Sequence, residues 1–491
     1  MARLPRPRPL LTTGGVTTDH DRAAAVASAA VEAAVPPTVM ELLDTLRAAG
    51  HAAYVVGGSL RDVLLGREAA DWDLATDARP ERLVELLHGA VYENRFGTVA
   101  VRREGGVHEV TTFRSEHEYA DFRRPHRFEF GDTIDLDLAR RDFTVNAMAW
   151  GSAPAGDAAA PTGPAGPADG LRPARSLVDP YDGLADLAAR RLRAVGAPVA
   201  RFEEDALRMV RAVRLAATLE FEVEPVTRAA IRDRAELVRH LSGERVAAEL
   251  EKLLAAPRPS VGLRLMADTG LLAVISPDLA AQLGVPQNKI TGEDLWDHTL
   301  RTVDAVSADR PVVRLAALLH DLGKPSTAAD GRFIGHEQVG ADLARELLHR
   351  LRFPRATQER AVLLVRHHMF DYQGTWSDAA VRRFILRVGR HGIDELFDLR
   401  AADNVGSGIP ANANGLDELR QRVHEQLEAE VVLDRADLAI NGDDLIAELG
   451  LATGPSLGRI LDALLDRVIA DPELNDRPTL LMLAQAMLAE E

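Results

Sequence analysis

The chain has 491 residues, a formal net charge of −17, 46% hydrophobic residues and no cysteine. That length exceeds what a single core sustains, so several domains are expected. The missing thiols exclude disulfides and thiolate metal sites and fit a reducing cytoplasm. The acidic balance speaks against non-specific polyanion binding.

The opening MARLPRPRPLLTTGG carries arginine and proline but lacks the apolar stretch of a signal peptide. Residues 1–34, including the alanine-rich Ala23–Ala34, are expected as a disordered tail. Pro36–Ala49 reads as an amphipathic helix, and no apolar run approaches the ~20 residues of a membrane span. The β-like runs AAYVV, DWDLAT, TVAVRRE and VHEVTTFR follow, with a helix at Pro80–His88 among them. They predict an α+β domain with a small mixed sheet over residues 35–190. The Ala/Gly/Pro-rich stretch at 151–176 is expected as a flexible insertion.

From Asp182 onward strand signals nearly vanish. Segments such as EEDALRMVRAVRLAATL and ERVAAELEKLL have helical period, predicting an all-helical neck (191–275), body (276–425) and tail (426–491). The last helical segment is expected after the NGDDL turn near Asn441.

In VVGGSLRDVLLGREAADWDLAT, the Gly57–Gly58 pair lets the backbone turn sharply and approach a ligand closely. The helix beginning at Ser59 offers N–H groups to a phosphate, and Arg61 adds charge at that end. Asp71 and Asp73, two apart on a strand, project to one face. Two such carboxylates plus substrate phosphates suit Mg²⁺. Glu109, on a later strand, is either a third carboxylate of this set or a surface glutamate.

The motifs GGSLRD, DWDLAT and RRDFTVNAMAW resemble the head of class II nucleotidyltransferases of the DNA polymerase beta superfamily. These are the CCA-adding tRNA nucleotidyltransferases and the bacterial poly(A) polymerases. The resemblance implies that the turn holds a nucleoside triphosphate and that Asp71 and Asp73 hold its metals. In similar enzymes the RRDFT motif meets the ribose, which implies Asp142 at the 2′-hydroxyl and Arg141 near the nucleotide; a helix cap with a surface charge pair is the plain reading. The implied reaction adds or repairs the 3′-terminal CCA of tRNA from CTP and ATP, with poly(A) addition or partial CC or A addition as the alternative.

Helical spacing makes Asp205 and Arg208 neighbours, able to present acceptor and donor groups to a base edge. Arg211 and Arg214 turn away toward phosphates or nearby carboxylates. By the same resemblance, Glu204, Asp205 and Arg208 form a protein template selecting CTP and then ATP. The arginine- and aromatic-rich FRSEHEYADFRRPHRFEFGD is expected as a loop, either closing over the nucleotide or merely exposed.

LAALLHDLGK places His320 and Asp321 at the end of an apolar helix, with Gly323 as its C-cap. The chain supplies further ligands in His298, His336, His367, His368 and Asp403. Their order is similar to the HD-domain phosphohydrolases. This implies one divalent metal on His298, His320, Asp321 and Asp403, a second aided by His336 and His367, and phosphoester hydrolysis at a cyclic phosphate or RNA end.

Overall fold

The computed structural model describes residues 19–69, 71–94, 97–104, 106–119, 125–154, 175–287, 289–429 and 434–490. The chain forms two compact units, one of residues 1–249 with 264–275, the other of residues 250–263 with 276–491.

The first unit opens with α1 (Asp19–Ala34), α2 (Pro37–Ala48), strand β1 (Ala53–Val56), α3 (Gly58–Leu64) and β2 (Asp73–Thr76). Next come α4 (Pro80–Leu86), β3 (Ala90–Asn94), β4 (Thr98–Arg103), β5 (Gly106–Thr112), β6 (Arg114–Tyr119) and β7 (Pro125–Phe130). The head closes with α5 (Ile134–Ala139), β8 (Ala149–Ser152), β9 (Ser176–Val178) and α6 (Gly183–Ala188). A seven-stranded mixed sheet runs in the order β3-β4-β5-β2-β1-β8-β9, and β2/β5 is its parallel pair. The α+β class expected from the alternating segments is therefore observed.

Three expectations are corrected here. Ala23–Ala34 lies in α1 rather than in a disordered tail: Val31 is fully buried and Ser28 Oγ accepts a hydrogen bond from Trp150 Nε1 at 2.8 Å. The proposed insertion begins too early and ends too late. Gly151 and Ser152 pair with β1 and Ser176 pairs with Gly151, while residues 155–174 lie outside the described residues. A side chain at Gly151 would collide with the Ala53 carbonyl, which is why a glycine in this strand is a packing requirement rather than a sign of a loop. FRSEHEYADFRRPHRFEFGD carries the antiparallel hairpin β6/β7 instead of a loop, with residues 120–124 outside the described set.

One sheet face positions the site. Tyr54, Val56 and Ala75 form a cluster with Ile134 and Leu138 of α5. Val56 pairs with Asp73 in the β1/β2 register, so Asp73 projects to that same face at the open end of β2. The chain continues with α7 (Pro198–Glu204), α8 (Leu207–Leu219), α9 (Pro225–Arg234) and α10 (Gly243–Leu254); the expected all-helical neck also holds a short parallel strand pair, Arg191–Leu192 with Glu222–Val223.

Further along lie α11 (Pro259–Asp268), α12 (Leu271–Ile275), α13 (Pro277–Ala280), α14 (Leu295–Ala305), α15 (Pro311–Leu319) and α16 (Lys324–Thr327). They are followed by α17 (His336–Arg350), α18 (Arg355–His367), α19 (Asp378–Val388), α20 (Ile393–Gly406) and α21 (Leu416–Glu428). The last helices are α22 (Gly442–Leu449), α23 (Pro455–Ala470) and α24 (Arg477–Glu490). In the second unit α14 packs on α15 and α20, and α18 packs on α15 and α17. Its C-terminal part builds an apolar cluster of its own around Leu445, Leu464, Val468 and Leu480. The NGDDL turn does start α22: the Asn441 side chain accepts from the Asp443 and Asp444 amides as an N-cap. Among the described residues no single helix is long and apolar enough to cross a membrane.

Candidate nucleotide site and metal centre

Gly57 performs the turn, with φ 82° and ψ −136°, a conformation open essentially to glycine; Gly58 is already the first residue of α3. The space a Cβ on Gly57 would occupy lies 3.0 Å from Arg141 Nη1 and 3.7 Å from Asp73 Oδ2. The glycine turn, the second aspartate and the RRD motif therefore converge at one point. Asp71 and Asp73 are exposed while Trp72 between them is buried, so both carboxylates reach the open side of the strand. Leu74 pairs with Val110 in the parallel β2/β5 register, so Asp73 lies alongside Glu109, which is exposed.

Although Asp73 reaches the surface, surrounding protein withdraws water from its carboxyl and pushes its pKa above the ordinary value. Arg141 opposes that shift and the negative charge of Asp71 adds to it. A divalent cation would relieve this like-charge pair. Asp71, Asp73 and Glu109 form a set of carboxylates that fits a hard cation sharing its coordination with phosphate oxygens.

Asn146 ties the motifs together. Its Oδ1 accepts from Arg61 Nη1 at 2.7 Å, its Nδ2 donates to Asp142 Oδ1 at 3.1 Å, and its carbonyl accepts from Arg141 Nη1 at 3.4 Å. Arg61 also grips Asp62 through two bonds of 2.9 Å, so this arginine braces the turn rather than pointing outward from it. Arg140 and Arg141 share the buried Asp137, whose carboxyl burial pushes up but the two guanidinium groups hold below the usual range. Asp142 is buried too. Its Oδ1 accepts from the Phe143 amide at 2.8 Å and Oδ2 lies 2.9 Å from Arg211 Nη2; burial pushes its pKa up, but Arg211, Asn146, Arg208 and the Phe143 amide together hold it below the ordinary value.

The expected continuous helix through EEDALRMVRAVRLA is broken. α7 ends at Glu204, Asp205 is extended at φ −145° and ψ 105°, and α8 starts at Leu207. Asp205 and Arg208 are therefore not stacked on one helical face. Asp205 Oδ1 accepts from the Leu207 amide at 3.1 Å, and Oδ2 accepts from Arg245 Nη2 at 2.7 Å. The buried Arg208 donates to Glu204 Oε2 at 2.6 Å and to the carbonyls of Arg201 and Arg140 at 3.0 and 2.8 Å. Arg211 and Arg214 face carboxylates, the latter 2.5 Å from Glu249 Oε2. The reading of residues alone missed Asn146, Arg245 and Glu249. Asn146 stands inside the quoted RRDFTVNAMAW, and Arg245 and Glu249 sit at i and i+4 on α10, a spacing that puts them on one face.

In the second unit four imidazoles and two carboxylates meet. His298 Nε2 lies 3.1 Å from His320 Nε2 and 3.3 Å from both Asp321 Oδ2 and Asp403 Oδ1. On the other side of Asp321, Oδ1 is 3.4 Å from His336 Nε2 and 3.7 Å from His368 Nε2. His368, not the expected His367, completes this group. α18 ends at His367, and the next residue points its ring inward, fully enclosed, while His367 stays half-buried at the surface. Gly323 has an ordinary right-handed conformation (φ −81°) and is not a left-handed C-cap; a side chain there would strike the His336 carbonyl, so the glycine admits α17. Gly406 does the same for α20 against Thr302.

The donor set fits divalent metal. His320, His336 and His368 each direct Nδ1 to a backbone carbonyl, of Ala317, Phe333 and Val365 respectively, at 2.7–2.8 Å. That fixes Nδ1 as donor and leaves each Nε2 lone pair facing the cluster. Asp321 Oδ1 is buried and makes no hydrogen bond of its own. Burial pushes His368 down to about 3, keeping it a neutral ligand, whereas the neighbouring histidines with Lys324 at Asp321, and the His298 hydrogen bond with Lys289 at Asp403, hold both carboxyls well below the ordinary value against burial. Among the described residues these are the groups with three protein donors close enough to share an ion.

Family models match in chain order: a "Poly A polymerase head domain" over residues 53–193, a "Probable RNA and SrmB- binding site of polymerase A" over 220–283, and an "HD domain" over 278–438. A CCA-adding enzyme of Levilactobacillus brevis is 33% identical over 440 residues, covering 89% of this chain and 95% of that protein. One from Geobacillus kaustophilus is 31% identical, with 89% and 93% covered. The crystal structure of the Bacillus stearothermophilus CCA-adding enzyme in complex with CTP superposes with a TM-score of 0.68 at 27% identity, covering 93% of this chain and 99% of that one.

Proposed function

The chain belongs to the CCA-adding enzyme family, and from that premise we propose that it builds or repairs the 3′-terminal CCA of tRNA from CTP and ATP. The RNA 3′-hydroxyl gives up its proton to solvent as its oxygen bonds to the α-phosphorus, the bond from that phosphorus to the bridging oxygen breaks, and pyrophosphate leaves. The observation carrying this reading is the convergence of Gly57, Asp73 and Arg141 within 3.0–3.7 Å.

Asp71 and Asp73, with Glu109 beside them, would hold Mg²⁺, which when bound supplies charge neutralisation along the triphosphate. Gly57 and Gly58 give the triphosphate a backbone approach free of side chains, and Arg141 stands over that turn as its cation. Asp142, oriented by Asn146 and Arg211, would meet the ribose. Glu204, Asp205 and Arg208 select the base. Arg208 is oriented by Glu204 and two carbonyls, and Asp205 by Arg245, so the pair is preorganised through neighbours rather than by mutual stacking. Arg214 acts at one remove, bracing α8 on Glu249.

The HD centre is read as a second activity, divalent-metal-dependent phosphoester hydrolysis. His298, His320, Asp321 and Asp403 would hold one ion, and Asp321, His336 and His368 a second.

The experiment supplies a tRNA lacking CCA with CTP alone, ATP alone, or both. Two added cytidylates, no addition, and a complete CCA are the expected outcomes. Adenylate runs from ATP alone would instead assign poly(A) synthesis.

A further inference from the structure

A cavity of about 710 Å³ opens above the imidazole cluster. Asp321, His336, His368 and Asp403 of the ligand set line its floor, and three cations around them are already paired with the two aspartates. Lys324 Nζ lies 2.6 Å from Asp321 Oδ2, Arg400 Nη1 2.9 Å from Asp403 Oδ2, and Lys289 Nζ 3.6 Å from Asp403 Oδ1.

The rim has a different chemistry. Ile334, Met369 and Ile409 line the same cavity although they are 80%, 51% and 40% exposed, and Arg332 stands beside them. Single exposed apolar residues need no explanation, but three converging on one polar cavity do. The loop carrying two of these four residues is firmly built. Ala329 and Arg332 exchange backbone hydrogen bonds of 3.0 and 2.9 Å around Asp330 and Gly331, whose φ values of 50° and 72° make a tight left-handed turn. The Phe333 carbonyl then accepts from His336 Nδ1 at 2.7 Å, tying the loop to the cluster. Ile334 is thereby held out in water by a fixed backbone.

A small phosphate ester would use the floor alone and leave this rim without purpose. A nucleotide at the end of an RNA strand uses all of it: its terminal phosphate on the cationic floor, its base on the apolar rim, its preceding phosphodiester toward Arg332. We propose that Arg332, Ile334 and Met369 form a specificity subsite for the 3′-terminal nucleotide of an RNA bearing a terminal phosphomonoester. The proposal rests on the reading of the HD centre as a phosphoester hydrolase. In that hydrolysis a water oxygen bonds to phosphorus, the bond from phosphorus to the ribose oxygen breaks, and a water proton leaves that oxygen as a hydroxyl.

The full-length protein with Mn²⁺ added is assayed on p-nitrophenyl phosphate and on a short oligoribonucleotide ending in a 3′-phosphate. Arg332→Ala and Ile334→Ser should each lower kcat/KM for the oligonucleotide about tenfold, mainly through KM, and change p-nitrophenyl phosphate turnover by less than about twofold. Independently of turnover, an oligonucleotide with a terminal 4-thiouridine 3′-phosphate, irradiated with the protein in chelator, should cross-link to the 332–336 peptide or to Met369. Equal losses on both substrates, or a cross-link confined to the head, would overturn the subsite. A wild-type protein that hydrolyses neither substrate yet cross-links at the loop would keep the subsite and sink the hydrolase reading.

Discussion

Arg245 Nη2 lies 2.7 Å from Asp205 Oδ2, joining α10 to the break between α7 and α8. The contact matters because Asp205 is in no helix, and among the described residues its side chain otherwise accepts from the Leu207 amide alone. On the proposed role of Asp205 in base selection its carboxylate needs a fixed direction, and Arg245 on a neighbouring helix supplies one.

Arg245→Ala should therefore blur nucleotide choice before it harms catalysis. Loss of one charge-assisted bond, worth about 1.5 kcal/mol, corresponds to roughly a tenfold fall in the discrimination between CTP and ATP. The ratio of kcat/KM for the two nucleotides on one tRNA acceptor measures it. An unchanged ratio would show that Asp205 does not select the base through this contact.

Asn146→Ala removes the partner of Arg61 and of the buried Asp142 together. The expected cost is about 1–3 kcal/mol, seen as a lower urea midpoint for the first unit's transition, with incorporation falling alongside. Asn146→Asp would fail differently, by placing a second carboxylate against Asp142.

His368→Ala should weaken Mn²⁺ binding to the second unit at least about tenfold, while His367→Ala leaves it unchanged. Titration of Mn²⁺ by electron paramagnetic resonance, with Asp73→Asn in the background to silence the head, separates the two.

Asp73 carries a raised pKa, so the native state holds its proton more tightly than the unfolded chain does. That contribution to stability is present at low pH and is lost as pH rises through the folded value. At neutral pH, Asp73→Asn should thus raise the melting temperature of the metal-free protein, with the gain shrinking as pH falls through the raised folded value and the wild-type carboxyl takes up its proton. The same variant should be inactive in incorporation. A melting temperature unchanged or lowered at neutral pH would contradict the strained carboxylate pair.

Short-range signals carried much of this protein. The glycine turn, the alternating aspartates and the RRD motif could be read from spacing because each lies within a few residues of chain. Long-range contacts were not legible. EEDALRMV reads as one continuous helix because nothing local breaks it, yet pairing with Arg245 accompanies an extended residue at Asp205. Sequence does not separate His367 from His368 as a ligand, because adjacent residues differ only in helical phase, which the end of α18 decides. Gly323 reads as a cap from sequence; the backbone of α17 lying against it is visible only in three dimensions. Gly151 misled in the same way, marking close strand packing where composition suggested the start of a loop.

Single-turnover incorporation of one cytidylate into a tRNA lacking CCA, compared between wild type, Asp71→Ala and Asp73→Ala at saturating Mg²⁺ and CTP, tests the central assignment most directly. Each substitution should slow the step by at least about a thousandfold, a barrier increase near 4 kcal/mol, with tRNA affinity unchanged. Either variant incorporating cytidylate within about tenfold of the wild-type rate would contradict the assignment of these two carboxylates to the reacting triphosphate.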